Sequence, residues 1–200
     1  MKLYGSLTSP FVRKLRVAVQ EFGLTERVEL VVTDPWSSPP ALLANNPLSK
    51  VPTLVTDDGL ALPDSALILD YLIDLSGYPA LPSGRARWEA ARLVQIADGV
   101  LDAAVAIVIE KRRPPPFIYP GWLDRQTVAI SRALDALESA AAQLSTGAAG
   151  LVEVTLGPAL AYVDFRMPDY DWRTSRPALA AWYAQFAQRP SMQTTQPPPA

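Results

Sequence analysis

A serine followed by a proline near the start of the chain is the first pair of residues whose types could support chemistry. Ser9 stands directly before Pro10, an order typical of a helix start, with serine as the N-cap and proline as the first helical residue. At a helix N-terminus several backbone N–H groups lack partners and the dipole is positive, so an anion such as a thiolate is stabilised there. A hydroxyl donating to the sulfur would lower the thiol pKa further. Arg13 and Lys14, one turn into the helix, are expected to add positive potential.

Ser9 has a structural alternative and several competitors. The alternative is that its side chain only caps the helix. Ser6 and Thr8 carry hydroxyl groups close by and are the nearer competitors. Tyr4 is a donor by residue type, but it falls within a predicted strand and is expected to point into the sheet or toward the base of a cleft.

Two further segments could hold a peptide beside this helix start. Val51-Pro52 follows Lys50 and precedes a predicted strand. If the Val51-Pro52 bond is cis, which the sequence does not determine, the turn presents the backbone of Val51 outward, where a short peptide can pair as an extra strand. Asp64 and Ser65 open a predicted helix, and either can simply be its N-cap. Alternatively, the helix amides and the Ser65 hydroxyl bind a carboxylate while Asp64 faces a neighbouring ammonium group, as the end of an α-amino acid requires.

The composition excludes several classes of site. The chain has 200 residues, 49% of them hydrophobic, so it can bury a core in one domain or two small ones. It contains no cysteine and no histidine, which removes disulfides, cysteine redox motifs, Ser-His-Asp triads and the usual zinc sites. Asp98, Asp102 and Glu110 lie along one predicted helix without a second cluster of ligands, so we expect no metal.

Charge and hydropathy also limit the partners and the location. A net charge of −2 gives no general attraction for nucleic acid or for an anionic membrane. The N-terminus lacks a positively charged region followed by a long apolar run, and no apolar stretch is long enough to span a bilayer. We therefore expect a cytoplasmic protein.

The spacing of hydrophobic residues divides the chain into two domains and a linker. Residues 1–77 alternate short strands and helices in the order β-α-β-(short α)-β-β-α, which implies a small mixed sheet with helices packed on it. Residues 78–84 form the linker, and residues 85–200 are predicted to be helical. The predicted helices cover residues 85–111, 125–144, 151–165 and 177–188. Residues 194–200 are polar and rich in proline and are expected to fray.

The three segments, their spacing and the helical second half resemble the glutathione S-transferases. The most specific part is Val51-Pro52, followed by a hairpin and then by Asp64-Ser65, and the run at residues 176–191 also resembles the C-terminal end of the family. The resemblance implies a thioredoxin-like N-terminal domain without redox cysteines and an all-α C-terminal domain. It further implies glutathione bound in a cleft between the domains, and usually a homodimer.

The resemblance implies a reaction as well. Ser9 corresponds to the catalytic serine of the Ser-type members, which stabilise the glutathione thiolate and conjugate it to small hydrophobic electrophiles. Phe11, with residues from the second domain, would border the electrophile pocket. Members that reduce disulfides through a cysteine are excluded because the chain has none.

The resemblance also implies how the rest of glutathione is held. Val51 would pair with the backbone of the cysteinyl residue, with Pro52 in the cis form. Asp64 and Ser65 would hold the γ-glutamyl end. Lys50 could meet the glycyl carboxylate. Glutathione would thus be a co-substrate, and no metal is needed.

One segment departs from the family pattern. Where the family has Ser/Thr-x-x-Asp at the start of the third long helix, this chain has Gly150 followed three residues later by Glu153, and Pro158 lies further along. Glycine lacks the side-chain acceptor of a good N-cap, and proline lacks a helical donor. We therefore expect a less stable helical domain.

Two other functions remain compatible with the sequence. One is a non-catalytic protein of the same fold that carries a ligand or binds a partner. The other is a glutathione-dependent isomerase or peroxidase, since the same thiolate can add reversibly to a substrate or attack a peroxide.

Overall fold

The computed structural model of the chain describes residues 1–78 and 82–199. Contacts divide the chain into two units, one formed by Met1–Ala80 with Pro190–Ala200 and the other by Leu81–Arg189. The chain therefore passes from the first unit to the second and then returns. Residues 190–200, predicted as the end of the helical domain, belong instead to the first unit. Part of the predicted linker, residues 79–81, lies outside the described residues.

The first unit is built on a four-stranded sheet of order β2-β1-β3-β4. The strands are β1 (Lys2–Gly5), β2 (Glu29–Val32), β3 (Thr53–Val55) and β4 (Ala61–Pro63). β1 and β2 are parallel, whereas β3 is antiparallel to both β1 and β4. The small mixed sheet predicted from the hydrophobic spacing is confirmed.

The first unit has three helices at the predicted places and a fourth, α8, that was not predicted. They are α1 (Pro10–Glu21), α2 (Pro40–Leu43), α3 (Ser65–Ser76) and the short C-terminal α8 (Pro190–Gln193). Ser9 is the N-cap of α1, as predicted. Gly77 follows α3 with a φ of 64°, which glycine adopts without steric cost. α1 and α3 pack together and bury apolar residues such as Leu15 and Leu72.

Within residues 82–189 of the second unit, the regular structure is helical. Its main helices are α4 (Gly84–Glu110), α5 (Pro120–Ser139), α6 (Leu151–Arg166) and α7 (Pro177–Phe186). α6 packs on α4 and is buried along most of its length, so it forms the core of this unit. In the part of the chain that the structure describes, no helix is both long and apolar enough to cross a membrane.

Two predicted helix boundaries are wrong. α5 begins at Pro120 and not at residue 125, because proline is well tolerated at the first helical position, where its missing N–H would be unpaired in any case. It also ends at Ser139, after which the chain forms a 3₁₀ turn over Ala141–Gln143. The general order of helices in the second unit is nevertheless as predicted.

The weak cap expected at the start of α6 is offset by a buried carboxylate. Gly150 is the N-cap and offers no side chain. Glu153 accepts one hydrogen bond from the N–H of Gly150 at 2.8 Å and another from the N–H of Ser145, also at 2.8 Å. Its side chain is only 6% exposed, and hydrogen bonds to a charged acceptor are stronger than neutral ones. Glu153 therefore secures this end of the helix.

We expect Glu153→Ala to lower the free energy of unfolding by about 2–4 kcal/mol, because two N–H groups lose their charged acceptor. Urea denaturation followed by circular dichroism measures this loss. The matched control is Glu89→Ala, which removes an exposed pair with Arg85 (2.7 Å between Nε and Oε1) and should cost about 0.5 kcal/mol or less. Equal losses in the two variants would contradict the capping role of Glu153.

The prediction that residues 194–200 fray is wrong for its first residues. Thr195 is completely buried, and its Oγ1 accepts a hydrogen bond from Nε of Arg13 at 3.4 Å. Gln20 donates from Nε2 to Oγ1 of Thr194 at 2.9 Å. Ala200 lies outside the described residues. The C-terminal segment is thus attached to α1, a long-range contact that its polar composition does not reveal.

Candidate functional site

The strand register brings the three chemistry-bearing segments to one end of the sheet. Tyr4 of β1 pairs with Thr53 of β3, and Thr53 pairs in turn with Pro63 of β4. Because β3 is antiparallel to both neighbours, the C-terminal ends of β1 and β4 lie beside its N-terminal end. The segments that follow β1, precede β3 and follow β4 are therefore neighbours in space.

Ser9 presents a hydroxyl group at the positive end of α1. Its Oγ accepts a hydrogen bond from the N–H of Val12 at 3.4 Å, which is long for this type of bond. Its own N–H donates to the carbonyl of Ser6 at 3.2 Å. The Ser9 hydroxyl hydrogen is not donated to any described residue. The geometry therefore allows Ser9 to donate to an anion at the helix N-terminus.

The competitors of Ser9 lie close by but in other positions. Ser6 and Thr8 belong to the turn between β1 and α1 and cap no helix, and Tyr4 lies within β1, as predicted. The guanidinium of Arg13, which was expected to add positive potential at the start of α1, binds the C-terminal segment of the chain. Its Nη2 donates to the carbonyl of Met192 at 3.0 Å, and only 8% of the residue is exposed. Lys14, expected to act with it, is completely buried.

The turn before β3 leaves one backbone unit available. The peptide bond between Val51 and Pro52 is cis, and Pro52 is buried while Val51 is half-buried. Neither the N–H nor the C=O of Val51 has a hydrogen-bond partner among the described residues. A backbone unit with both groups unpaired at a sheet end can pair with an extended peptide.

Asn46 supports this turn and was not identified from the sequence. Its Nδ2 donates to the carbonyl of Lys50 and to Oγ1 of Thr53, each at 3.0 Å, while its Oδ1 accepts from the N–H of Leu48 at 3.0 Å. Oγ1 of Thr53 donates to the same Lys50 carbonyl at 2.9 Å. The signal that could have found it is Asn46-Pro47, since such pairs favour turns. Lys50 itself places an exposed ammonium group next to Val51.

Asp64 and Ser65 open α3 with an unusual backbone. Asp64 has φ 76° and ψ 138°, a conformation that costs about 1–3 kcal/mol for a residue with a side chain and is concentrated at functional sites. Asp64 is the N-cap, with Oδ1 accepting from the N–H of Ala66 at 2.8 Å. Oδ2 of Asp64 and the Ser65 hydroxyl make no hydrogen bond with described residues. A carboxylate oxygen and a hydroxyl at a helix N-terminus can together bind an ammonium and a carboxylate group.

Phe11 is the one predicted site residue that contributes only apolar surface. It is the second residue of α1 and is half-buried. It follows Ser9 by two positions at the start of the same helix.

A polar pair in the helical unit was also not identified from the sequence. Tyr162 is 6% exposed, and burial raises the pKa of its phenol, although the nearby charges of Arg166 and Arg112 act in the opposite direction. The guanidinium carbon of Arg166 lies 4.1 Å from the ring centroid of Phe165. Its buried Nε has no hydrogen-bond partner among the described residues. A neutral hydroxyl and a cation thus lie together near the C-terminal end of α6.

Comparisons with known proteins are consistent across both units. Residues 8–75 match the family model described as "Glutathione S-transferase, N-terminal domain", and residues 120–185 match "Glutathione S-transferase, C-terminal domain". The chain is 35% identical over 204 aligned residues to the "Uncharacterized GST-like protein YibF" of Escherichia coli, with all of both chains covered.

Solved structures show the same similarity. A glutathione transferase family member from Pseudomonas fluorescens Pf-5 with bound glutathione is 42% identical, with a TM-score of 0.92 over 98% of each chain. A structure from the same organism with bound S-(propanoic acid)-glutathione is 41% identical, with a TM-score of 0.89 over 99% of this chain and 100% of that one. A glutathione S-transferase from Methylobacillus flagellatus KT with glutathione bound is 31% identical, with a TM-score of 0.88 over 98% and 99%. The chain therefore belongs to the glutathione S-transferase family.

Proposed function

We propose that this protein is a glutathione transferase that binds glutathione at the described end of the sheet and conjugates its sulfur to small electrophiles. The observation that carries the proposal is the arrangement of Ser9, the unpaired backbone of Val51 and the Asp64-Ser65 pair at that end. Relatives that are 42% and 31% identical hold glutathione in their structures, which supports the same ligand here.

In the proposed mechanism, the protein lowers the pKa of the glutathione thiol. The thiolate lies at the N-terminus of α1, where the backbone N–H groups and the helix dipole favour an anion. The Ser9 hydroxyl donates a hydrogen bond to the sulfur, and each unit by which the pKa falls is worth about 1.4 kcal/mol. The thiol proton passes to solvent, so no histidine is required as a base.

The thiolate then attacks the electrophile. A bond forms between the sulfur and the electrophilic carbon, and a leaving group departs with its electron pair. In an activated alkene, the π electrons move to the neighbouring carbon instead, which takes a proton from solvent. Thiolate formation and the proximity of the two reactants supply the catalysis.

The peptide part of glutathione is held by three elements. We infer that the N–H and C=O of Val51 pair with the cysteinyl backbone as an added strand, in the turn shaped by Pro52. The Asp64 carboxylate faces the γ-glutamyl ammonium group, and the start of α3 with the Ser65 hydroxyl binds the neighbouring carboxylate. The exposed Lys50 ammonium meets the glycyl carboxylate.

The electrophile is proposed to be small, with Phe11 at the wall beside the sulfur. A relative that is 41% identical holds S-(propanoic acid)-glutathione in its structure, which supports a small group on the sulfur here. A panel of an aryl halide, an activated alkene with and without a carboxylate, and a hydroperoxide distinguishes conjugation from peroxidase activity. Glutathione binding without thiol consumption across the panel would favour a non-catalytic carrier instead.

We also propose a cytoplasmic homodimer. Large apolar side chains are exposed in each unit: Leu60 at 54% and Leu67 at 46% in the first, and Trp88 at 70% in the second. Each unit therefore has exposed apolar side chains that a second copy could cover. Light scattering after size exclusion should give twice the chain mass, and a monomer mass at micromolar concentration would contradict this proposal.

We expect Ser9→Ala to lower kcat by roughly 10- to 100-fold, the value of one hydrogen bond to a charged group, while the dissociation constant of glutathione changes little. Steady-state kinetics and equilibrium binding separate the two effects. Ser6→Ala and Thr8→Ala are the matched controls and should keep their activity. An unchanged rate in Ser9→Ala would show that Ser9 does not stabilise the thiolate. A loss of activity in Ser6→Ala or Thr8→Ala would instead assign this role to Ser6 or to Thr8.

Asp64→Asn tests the γ-glutamyl site with little change in fold. Asparagine is a good N-cap and tolerates positive φ, so stability should stay close to that of the wild type. The lost charge should weaken glutathione binding about tenfold or more. The comparison ligand is glutathione lacking its α-amino group. The wild type should bind this ligand more weakly than glutathione, and Asp64→Asn should bind it with the same affinity as the wild type does. If the variant discriminates between the two ligands as well as the wild type does, the assignment of Asp64 is wrong.

A further inference from the structure

The C-terminal segment, residues 190–195, lies along one face of α1. Ser9, Arg13, Arg16 and Gln20 follow one another at helical spacing and therefore share a face of the helix. Arg13 donates from Nη2 to the carbonyl of Met192 at 3.0 Å and from Nε to Oγ1 of Thr195 at 3.4 Å. The face that begins at Ser9 is thus the face to which the end of the chain is bound.

Contacts further along α1 continue this attachment. Arg16 donates to the carbonyls of Thr195 and Thr194 at 3.4 Å each, and burial lowers the pKa of its guanidinium. Gln20 donates to Oγ1 of Thr194 at 2.9 Å. Ser191 donates its hydroxyl hydrogen to a carboxylate oxygen of Glu21. Almost the whole length of α1 is therefore attached to the segment through polar side chains.

The attachment is buried and its hydrogen bonds are directional. Arg13 is 8% exposed, Met192 2% and Thr195 0%. The Thr195 hydroxyl donates its only hydrogen to the carbonyl of Ser191 at 2.6 Å, which leaves a lone pair for Nε of Arg13. Buried polar groups that lose a partner are costly, so the guanidinium of Arg13 is held in one position.

The first turn of α1 is packed through the buried Pro10 and Val12, but it has few hydrogen bonds of its own. Pro10 has no N–H, and the bond from the N–H of Val12 to the Ser9 hydroxyl is long at 3.4 Å. The N–H of Arg13 donates to the carbonyl of Ser9 at 3.0 Å. Arg13 therefore joins the C-terminal segment, through its side chain, to the N-cap of α1, through its backbone.

We propose that residues 190–195 form a splint that fixes the first turn of α1, and that Arg13 is the positioning residue through which the splint orients the Ser9 hydroxyl. The inference rests on the proposed function for its chemical consequence. Val51, Asp64 and Ser65 belong to other elements, so loosening α1 affects the bound thiol more than the affinity for glutathione. The splint thus sets how much of the bound thiol is ionised.

Thr195→Val in the full chain tests the splint. Valine keeps the volume of threonine and removes the hydroxyl that accepts from Arg13. Thr155→Val is the matched control, because Thr155 is also completely buried and its hydroxyl also donates to the carbonyl four residues earlier, that of Leu151, at 2.8 Å. Thr155 lies in α6 of the second unit, so the control reports general destabilisation alone.

The first measurement is amide hydrogen exchange in the protein without glutathione. Thr195→Val should accelerate exchange of the Val12 and Arg13 amides about tenfold relative to Thr155→Val. Equal exchange of these amides in the two variants overturns the splint. This result does not depend on glutathione binding, so it stands apart from a failure of the proposed function.

The second measurement is the pKa of bound glutathione, from thiolate absorbance in the ultraviolet, together with kcat against pH. Thr195→Val and Arg13→Gln should raise the pKa of the bound thiol by about one unit. At pH values below this pKa, kcat should fall about tenfold, and at pH values well above it kcat should equal that of the wild type. Arg13→Lys, which can still donate to Met192, should recover part of the loss. If glutathione binds but its pKa and the pH profile are unchanged, the positioning role is wrong. If wild type binds no glutathione, the proposed function fails instead.

Discussion

The pairing of β3 with strands on both sides is the constraint from which the candidate site follows. Leu54 in the middle of β3 pairs with Leu3 of β1 and with Leu62 of β4, and both Leu54 and Leu3 are almost completely buried. A shift of the register by one residue would turn Leu54 to the opposite face and expose it. Burial of these side chains therefore fixes which loop ends are neighbours, and so brings Ser9, Val51 and Asp64 to one end of the sheet.

The same end of the sheet carries two helix N-termini with different capping geometries. Ser9 caps α1 through a long hydrogen bond of 3.4 Å, and its hydroxyl hydrogen is not donated to a described residue. Asp64 caps α3 through a hydrogen bond of 2.8 Å in a strained backbone, and its second carboxylate oxygen accepts no hydrogen bond from a described residue. One N-terminus is suited to an anionic sulfur, and the other to an adjacent carboxylate and ammonium. In the proposed function, these two helix starts are what a chain without histidine or cysteine uses to bind glutathione and to lower the pKa of its thiol.

Features with local signals could be predicted from the sequence, and features that depend on distant contacts could not. The start of α1 at Ser9-Pro10, the end of α3 at Gly77 and the position of the hairpin strands follow from short-range sequence preferences. The return of residues 190–195 to α1 depends on contacts between residues 179 and 182 positions apart, which no local pattern reveals. The site residues themselves stay a prediction, and the cis form of the bond before Pro52 could not be read from the sequence.

The most direct test of the central claim is a titration of the isotope-labelled protein with glutathione, followed by the backbone amide resonances. The account predicts that the amides of Val51, Ser65 and the first turn of α1 shift together with a single dissociation constant, because one tripeptide contacts all three elements. It also predicts that S-methylglutathione shifts the Val51 and Ser65 amides similarly but the α1 amides differently, since it carries no thiolate. Saturation without shifts at Val51 and Ser65, or shifts confined to another face of the protein, would contradict the account.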